Sequence, residues 1–265
     1  IIIVFGVVFF EIATSLDTIV GAHSHNDYKN EIPLEEALKN NFKSIEVDIF
    51  LSKKNLYVGH NWFELKKNKT IETMYLNPLW ERYLANNKTI YKNTSLYLLV
   101  DVKTNALKTY KYLEVILNKY KPMLTHVSSG SLKKKAVTII LSGNRPPINY
   151  FESYDYRNVF IDGRLSDIGK GISYKIMPLI SSDWKQTFNW EGLGVFPNSQ
   201  KRKLVELVNS VHNEQKEIRF WASPDNQKAW ETLLLSGTDL INTDNIEECR
   251  KFIIQKIYQK GHVDE

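Results

Sequence analysis

Apolar and polar positions along the chain follow two different periods. Short apolar runs lie at 18–22 (TIVGA), 43–50 (KSIEVDIF), 96–102 (LYLLVDV), 123–127 (MLTHV), 136–142 (AVTIILS), 158–162 (NVFID), 176–180 (IMPLI), 217–222 (EIRFWA) and 238–242 (TDLIN), and their length and β-branched content predict strands. Between them, segments 33–41, 78–86, 105–119, 199–213, 225–235 and 246–258 carry the helical period. Several begin as helices do: Pro33 in a first turn, Asn198 or Ser199 before KRKLVELV, and Ser223-Pro224-Asp225 before NQKAWETLL.

Strand and helix alternate to the end of the chain without a Pro/Gly/Ser linker, which predicts an α/β fold with a parallel sheet. Roughly eight strands in a chain of this size match a closed (β/α)8 TIM barrel, a single domain over residues 17–265. A doubly wound open sheet is the structural alternative. It would normally carry a Gly-rich phosphate loop after its first strand, and neither GxGxxG nor GxxxxGK[ST] occurs.

Residues 1–10, IIIVFGVVFF, are uninterruptedly apolar, and Glu11, Thr14 and Ser15 then turn the chain polar. This run is shorter than the about 20 residues that span a bilayer. Residues 1–16 are therefore expected to be a signal peptide lacking its basic start, a buried first element being the other reading, and the chain is expected to be secreted or in the secretory lumen. Three sequons, Asn68-Lys69-Thr70, Asn87-Lys88-Thr89 and Asn93-Thr94-Ser95, would then be open to glycosylation.

At 265 residues, 43% hydrophobic and 25% charged, the chain is ordinary globular material, long enough to bury a core without metal or disulfide. Cys249 is the single cysteine, so no internal disulfide forms. The net charge of +5 comes from 35 basic residues dispersed among 30 acidic ones; no groove-reading motif accompanies it, and no nucleic-acid partner is expected.

The informative residues are polar ones inside the apolar runs. His23 and His25 end the first strand, Glu46 and Asp48 sit in the second, and Asp101 and Lys103 end the third, each pair at i, i+2 and so on one strand face. Ile45, Val47, Ile49, Leu98, Leu99, Val100 and Val102 predict that these strands are buried on both faces, one being the barrel interior. Buried charges must be paired or bind something. Glu46, Asp48 and Asp101 are oxygen ligands suited to a hard divalent cation, Mg²⁺ first and Ca²⁺ as the alternative, and Lys103 would offset surplus negative charge or hold an oxyanion. Such a site belongs at the C-terminal mouth of the barrel.

With these residues in hand, the chain resembles the phospholipase-C-like phosphodiesterase superfamily, which includes glycerophosphodiester phosphodiesterases. Ala22-His23-Ser24-His25-Asn26-Asp27-Tyr28 is similar to the opening motif of the altered inheritance of mitochondria protein 6 branch. Ser44-Ile45-Glu46-Val47-Asp48, Gly59-His60 and Leu99-Val100-Asp101-Val102-Lys103-Thr104 also resemble segments of spider sphingomyelinase D (phospholipase D) toxins, and Gly237–Asp244 resembles the last barrel strand of glycerophosphodiesterases. The resemblance implies His23 and His60 as the catalytic pair, Glu46, Asp48 and Asp101 as ligands of one divalent cation, and Lys103 as the active-site lysine. It further implies Trp221 in the substrate pocket, with His25 and Asn26 as substrate-binding residues of this branch's motif. The HRG opening of ordinary glycerophosphodiesterases is replaced by His23-Ser24-His25, and the toxins' loop disulfide cannot form.

The expected activity is that of a metal-dependent phosphoric diester hydrolase, on a glycerophosphodiester or phospholipid-type substrate, by two-histidine acid–base chemistry. The partners expected are a small-molecule or lipid phosphodiester and a peripheral membrane contact, with the chain a monomer. Phe188, Trp190 and Phe196 in a loop over the mouth would, if exposed, suit a lipid interface, although loop hydrophobes more often pack locally. Two other readings stand beside this one. In a zinc-dependent amidohydrolase-type or phosphoesterase barrel, His-x-His is joined by a histidine such as His126. In a catalytically inactive secreted lipid-binding barrel, the polar set does no chemistry.

Overall fold

The computed structural model describes residues 18–152 and 155–261; the expected signal peptide and His262 lie outside them. Eight parallel strands close on themselves: β1 (Val20–Ser24), β2 (Phe42–Ser52), β3 (Leu96–Val102), β4 (Val137–Gly143), β5 (Val159–Gly163), β6 (Leu179–Asp183), β7 (Glu217–Trp221) and β8 (Leu240–Thr243). Each pairs with the next, and β8 returns to β1, with His23 opposite Asn242. The predicted (β/α)8 TIM barrel is the observed architecture.

Around the barrel lie α1 (Glu35–Lys39), α2 (Asn77–Ala85), α3 (Ala106–Leu117), α4 (Asn198–Asn213), α5 (Gln227–Leu235) and α6 (Ile246–Gly261), close to the predicted helices. Asn105 caps α3 through the Lys108 amide, and Asn226 caps α5 through the Ala229 amide. Leu113, Leu117, Leu204, Val208, Val211 and Leu233 bury the apolar stripes of these helices against the sheet. After β4 and β5, where no helical period stands in the sequence, the helical structure of the crossovers among the described residues is a five-residue helix, Ile148–Glu152, and a single turn, Leu165–Asp167.

One predicted strand is not a barrel strand. Most of run 123–127 lies outside the sheet, with His126–Ser128 pairing antiparallel with Ser131–Lys133 and Tyr156–Arg157 in a small outer sheet. The tight helix Asn118–Met123, with Pro122 inside it, delivers the chain to the barrel's outer rim, where Leu124 makes one bridge to Val137. Only the sequence neighbourhood, not the apolar run itself, distinguishes such a rim strand from a barrel strand.

Two-residue alternation sorts the barrel interior into layers. Leu99, Ile140, Phe160, Leu179 and Leu240 form one buried apolar layer, a cluster separate from the larger core between sheet and helices. One step toward the strands' C-terminal ends come Asp101, Ser142, Asp162, Ser181, Arg219 and Asn242; one step toward the N-terminal ends come Tyr97, Thr138 and Glu217. The apolar layer thus divides two polar ends. Phe160, 2% exposed, is its largest side chain. Phe160→Ala should lower the stability measured by urea unfolding by about 3–5 kcal/mol, because a dry cavity replaces an aromatic ring.

Candidate active site

Strand β2 supplies the centre. Glu46 and Asp48 are 5% and 0% exposed, and Asp101 stands opposite Asp48 on β3. One oxygen from each of the three lies within 4.8 Å of the others. Like charges this close in a poorly solvated place repel, so each carboxylate depends on its neighbours. Burial pushes the Asp101 carboxyl up, only partly opposed by the Lys103 ammonium. Burial works on Glu46 in the same direction, but the charge of Arg219 and the bond to His23 outweigh it and hold that carboxyl well below its ordinary value.

The donor set fits a hard divalent cation. Oδ1 of Asp48 and Oδ1 of Asp101 are both buried without a hydrogen-bond partner, which costs free energy unless something positive meets them. Room for Asp101 comes from Gly143, where φ is +62° and an added Cβ would fall 2.0 Å from Asp101 Oδ1.

Each imidazole is tied to one carboxylate of β2. His23 is fully buried, with Nδ1 2.7 Å from Ser44 Oγ and Nε2 2.8 Å from Glu46 Oε2. Burial, then the adjacent Arg219, lowers its pKa to about 4, so the ring is neutral at neutral pH. His60 is half-exposed and meets Asp48 Oδ2 through Nδ1 at 3.2 Å. It arrives by an unpredicted hairpin: β2 runs past the barrel wall and folds back through Lys53 and Lys54, both at positive φ, into the short strand Asn55–Val58. A two-residue turn of that kind normally announces itself by Asn-Gly, which this sequence lacks.

Lys103 Nζ bridges Asp48 (3.1 Å) and Asp101 (3.0 Å). Although burial disfavours its charge, the two carboxylates raise its pKa above the ordinary lysine value. His25 lies just beyond β1, 2.9 Å from Asp244 Oδ1, and burial is again outweighed, here by Asp244 and Glu46, so its pKa is raised. Asn26, at φ +47°, bonds the His25 ring with Nδ2, and its Oδ1 lies 2.8 Å from the Tyr28 hydroxyl oxygen. All eight of these expected residues, His23, His25, Asn26, Glu46, Asp48, His60, Asp101 and Lys103, stand in one connected group.

Trp221, the ninth, closes β7 and is 37% exposed; no hydrogen bond or ring contact ties it to the eight among the described residues. The loop aromatics Phe188, Trp190 and Phe196 are buried, packed at tilted and edge-on angles around Trp184 and Phe220, and so belong to the core; Leu193 and Val195 are the exposed large hydrophobics of that loop. The physical reason is mutual: three rings close in sequence exclude more water by packing on each other than by standing alone. His126 sits in the outer sheet against Tyr156, and His212 pairs with Asp239, so neither joins His23 as a ligand.

Three contributors were not read from the sequence. Arg219 lies two residues before Trp221 on β7 and donates to Glu46 Oε2 at 2.8 Å and to Asn242 Oδ1 at 3.2 Å, while also touching the His23 ring. The i, i+2 spacing that singled out the earlier pairs applies equally to Arg219 and Trp221. Tyr28 donates its hydroxyl to Asp48 Oδ2 at 2.7 Å, its phenol held protonated by burial and that carboxylate. Asp162, fully buried at the end of β5, bonds Ser142 and Arg164.

The AIM6-like phosphodiesterase domain matches residues 13–162, and the chain belongs to that family. Among relatives, the altered inheritance of mitochondria protein 6 homolog of Arthroderma benhamiae is 25% identical over 88% of this chain and 83% of its own length. Altered inheritance of mitochondria protein 6 of Saccharomyces cerevisiae is 28% identical over 84% of this chain and 68% of its own. Two solved structures share the fold. A calcium-dependent phosphoinositol-specific phospholipase C from Pseudomonas sp superposes with a TM-score of 0.58 at 14% identity, over 88% of this chain and 93% of that one. A glycerophosphodiester phosphodiesterase from Parabacteroides distasonis gives 0.53 at 16%, over 89% and 97%.

The burial of His23 has a consequence for pH dependence. Its folded pKa of about 4 lies below the ordinary 6.5, so between those values the unfolded chain binds more protons and stability is lost as the pH falls through the window. His25, with its pKa raised, contributes stability already complete below 6.5 and lost as the pH rises through its folded value. Urea unfolding of EDTA-treated protein should therefore show a midpoint that declines on acidification between pH 6.5 and 4, and His23→Gln should flatten the upper part of that decline. A wild-type midpoint constant across the window would contradict the assignment.

Proposed function

We propose that the chain is a metal-dependent phosphoric diester hydrolase acting on a glycerophosphodiester or phospholipid-type substrate. The observation that carries this reading is the pairing of two buried, unpartnered carboxylate oxygens, on Asp48 and Asp101, with two imidazoles each held against a carboxylate of the same strand. Glu46, Asp48 and Asp101 hold one divalent cation, Mg²⁺ or Ca²⁺, which when bound neutralises charge on the nonbridging phosphate oxygens. Lys103 and Arg219 add positive charge on either side of the acidic trio. His23, neutral and buried, accepts a proton from the attacking hydroxyl. His60, half-exposed and oriented by Asp48 and Tyr28, gives one to the departing alkoxide. Trp221, at the rim, lines the substrate pocket, and His25 with Asn26 contacts the substrate beside β1.

Attack by a hydroxyl of the substrate itself yields a cyclic phosphate, and attack by water a monoester; the mass of the product separates them. We infer a secretory location from the apolar run at 1–10, and there the exposed Asn68, Asn87 and Asn93 would be open to glycans.

Purified protein incubated with a panel of phosphodiesters should turn over at least one, lose activity in EDTA and regain it with Mg²⁺ or Ca²⁺. His23→Ala and His60→Ala should each cost about two to four orders of magnitude in rate with the fold retained by circular dichroism. Near-normal turnover in both variants would refute the acid–base assignment. Arg219→Lys, which keeps the charge but loses the planar fork, should lower the rate by about tenfold or more.

A further inference from the structure

The end of the barrel opposite the candidate active site holds a second cavity, of about 640 Å³, within the range of small-ligand pockets. Its floor is the N-terminal layer of the strands, including Tyr97, Thr138 and Glu217, and the apolar layer of Leu99, Ile140, Phe160, Leu179 and Leu240 separates it from the carboxylate cluster. It is therefore a separate site and not a deeper part of the first.

Its charge is strongly one-sided. Lys43, Lys88, Lys92, Lys134 and Lys135 line it, against a single acid, Glu217. Lys43 already neutralises that acid at 2.5 Å and lies over the Tyr97 ring. Lys88, Lys134 and Lys135 form no ion pair with any described carboxylate, although the chain carries 30 acidic residues against 35 basic ones. In the floor, the hydroxyl of Thr138 bonds those of Ser95 and Thr125 at 2.7 and 2.9 Å, and Thr125 also accepts from the Lys135 amide. A concave wall of lysines over this self-satisfied polar floor is complementary to a small anion with several charges.

We propose that this cavity binds a small, freely diffusing phosphorylated anion. The volume admits a molecule the size of a sugar phosphate, and the positive potential of Lys88, Lys134 and Lys135 favours an occupant with more than one negative charge. Since the apolar layer intervenes, its occupant is not the molecule being cleaved.

Inorganic pyrophosphate is the probe. Calorimetric titration of the EDTA-treated full chain, made in a bacterial host so that Asn87 and Asn93 are bare, should register binding at constant ionic strength. Lys134→Glu with Lys135→Glu should weaken it by roughly tenfold or more, with an unchanged melting temperature. Lys201→Glu with Arg202→Glu makes the same change of net charge on the outer helix α4 and should shift the affinity less than twofold, and Lys103→Met at the other end should leave it unchanged. The proposal fails if pyrophosphate does not bind, if both double variants weaken binding equally, or if Lys103→Met abolishes it. Phosphatidylglycerol vesicles test the other source of phosphate: sedimentation with vesicles that depends on Lys134 and Lys135, without pyrophosphate binding, would overturn the assignment to a soluble anion.

Discussion

Like charge concentrated in a closed barrel is the constraint on which this molecule turns. Parallel strands in register set Asp48 beside Asp101, and two-residue alternation sets Glu46 on the same face. Such a cluster is tolerated only because cations surround it: Arg219 on Glu46, Lys103 across Asp48 and Asp101. These groups polarise their neighbours in turn. Arg219 helps keep His23 neutral, and Asp48 orients both Tyr28 and His60. The chemistry of the site is thus a property of the whole charge set and of no single residue.

The fold was legible because buried parallel strands and amphipathic helices have distinct periods, and here they alternate almost without exception. The site was legible for a related reason: His23, Glu46, Asp48, Asp101 and Lys103 interrupt runs that are otherwise apolar on both faces. What escaped the sequence was set by longer-range geometry. Arg219 lies in a run predicted only as a strand, and it is the pairing of β7 with β6 and β8 in the closed barrel that turns it inward. Asp162 ends its run singly, without a partner at i, i+2. The hairpin that brings His60 was hidden by a Lys-Lys turn in place of the usual Asn-Gly. The run at 123–127 has the composition of a barrel strand but reaches the wall after a proline-containing turn, too far out to join it.

The aromatic loop shows how composition alone misleads. Phe188, Trp190 and Phe196 suggested a surface for lipid, but within one loop they could satisfy each other and Trp184. Leu193 and Val195 in the same loop remain in water although Val195 adjoins Phe196, so neighbourhood in sequence does not by itself bury a residue.

The continuity of β2 with its hairpin couples two parts of the site covalently. Glu46, Asp48 and His60 belong to one uninterrupted ribbon whose two arms are held in register from Ile49–Val58 to Ser52–Asn55. Gain or loss of one residue between 48 and 60 would rotate the returning arm to its other face and carry the imidazole away from Asp48. The number of residues along this ribbon is therefore fixed by the contact between His60 and Asp48, a constraint that a loop tethered at its two ends alone does not carry.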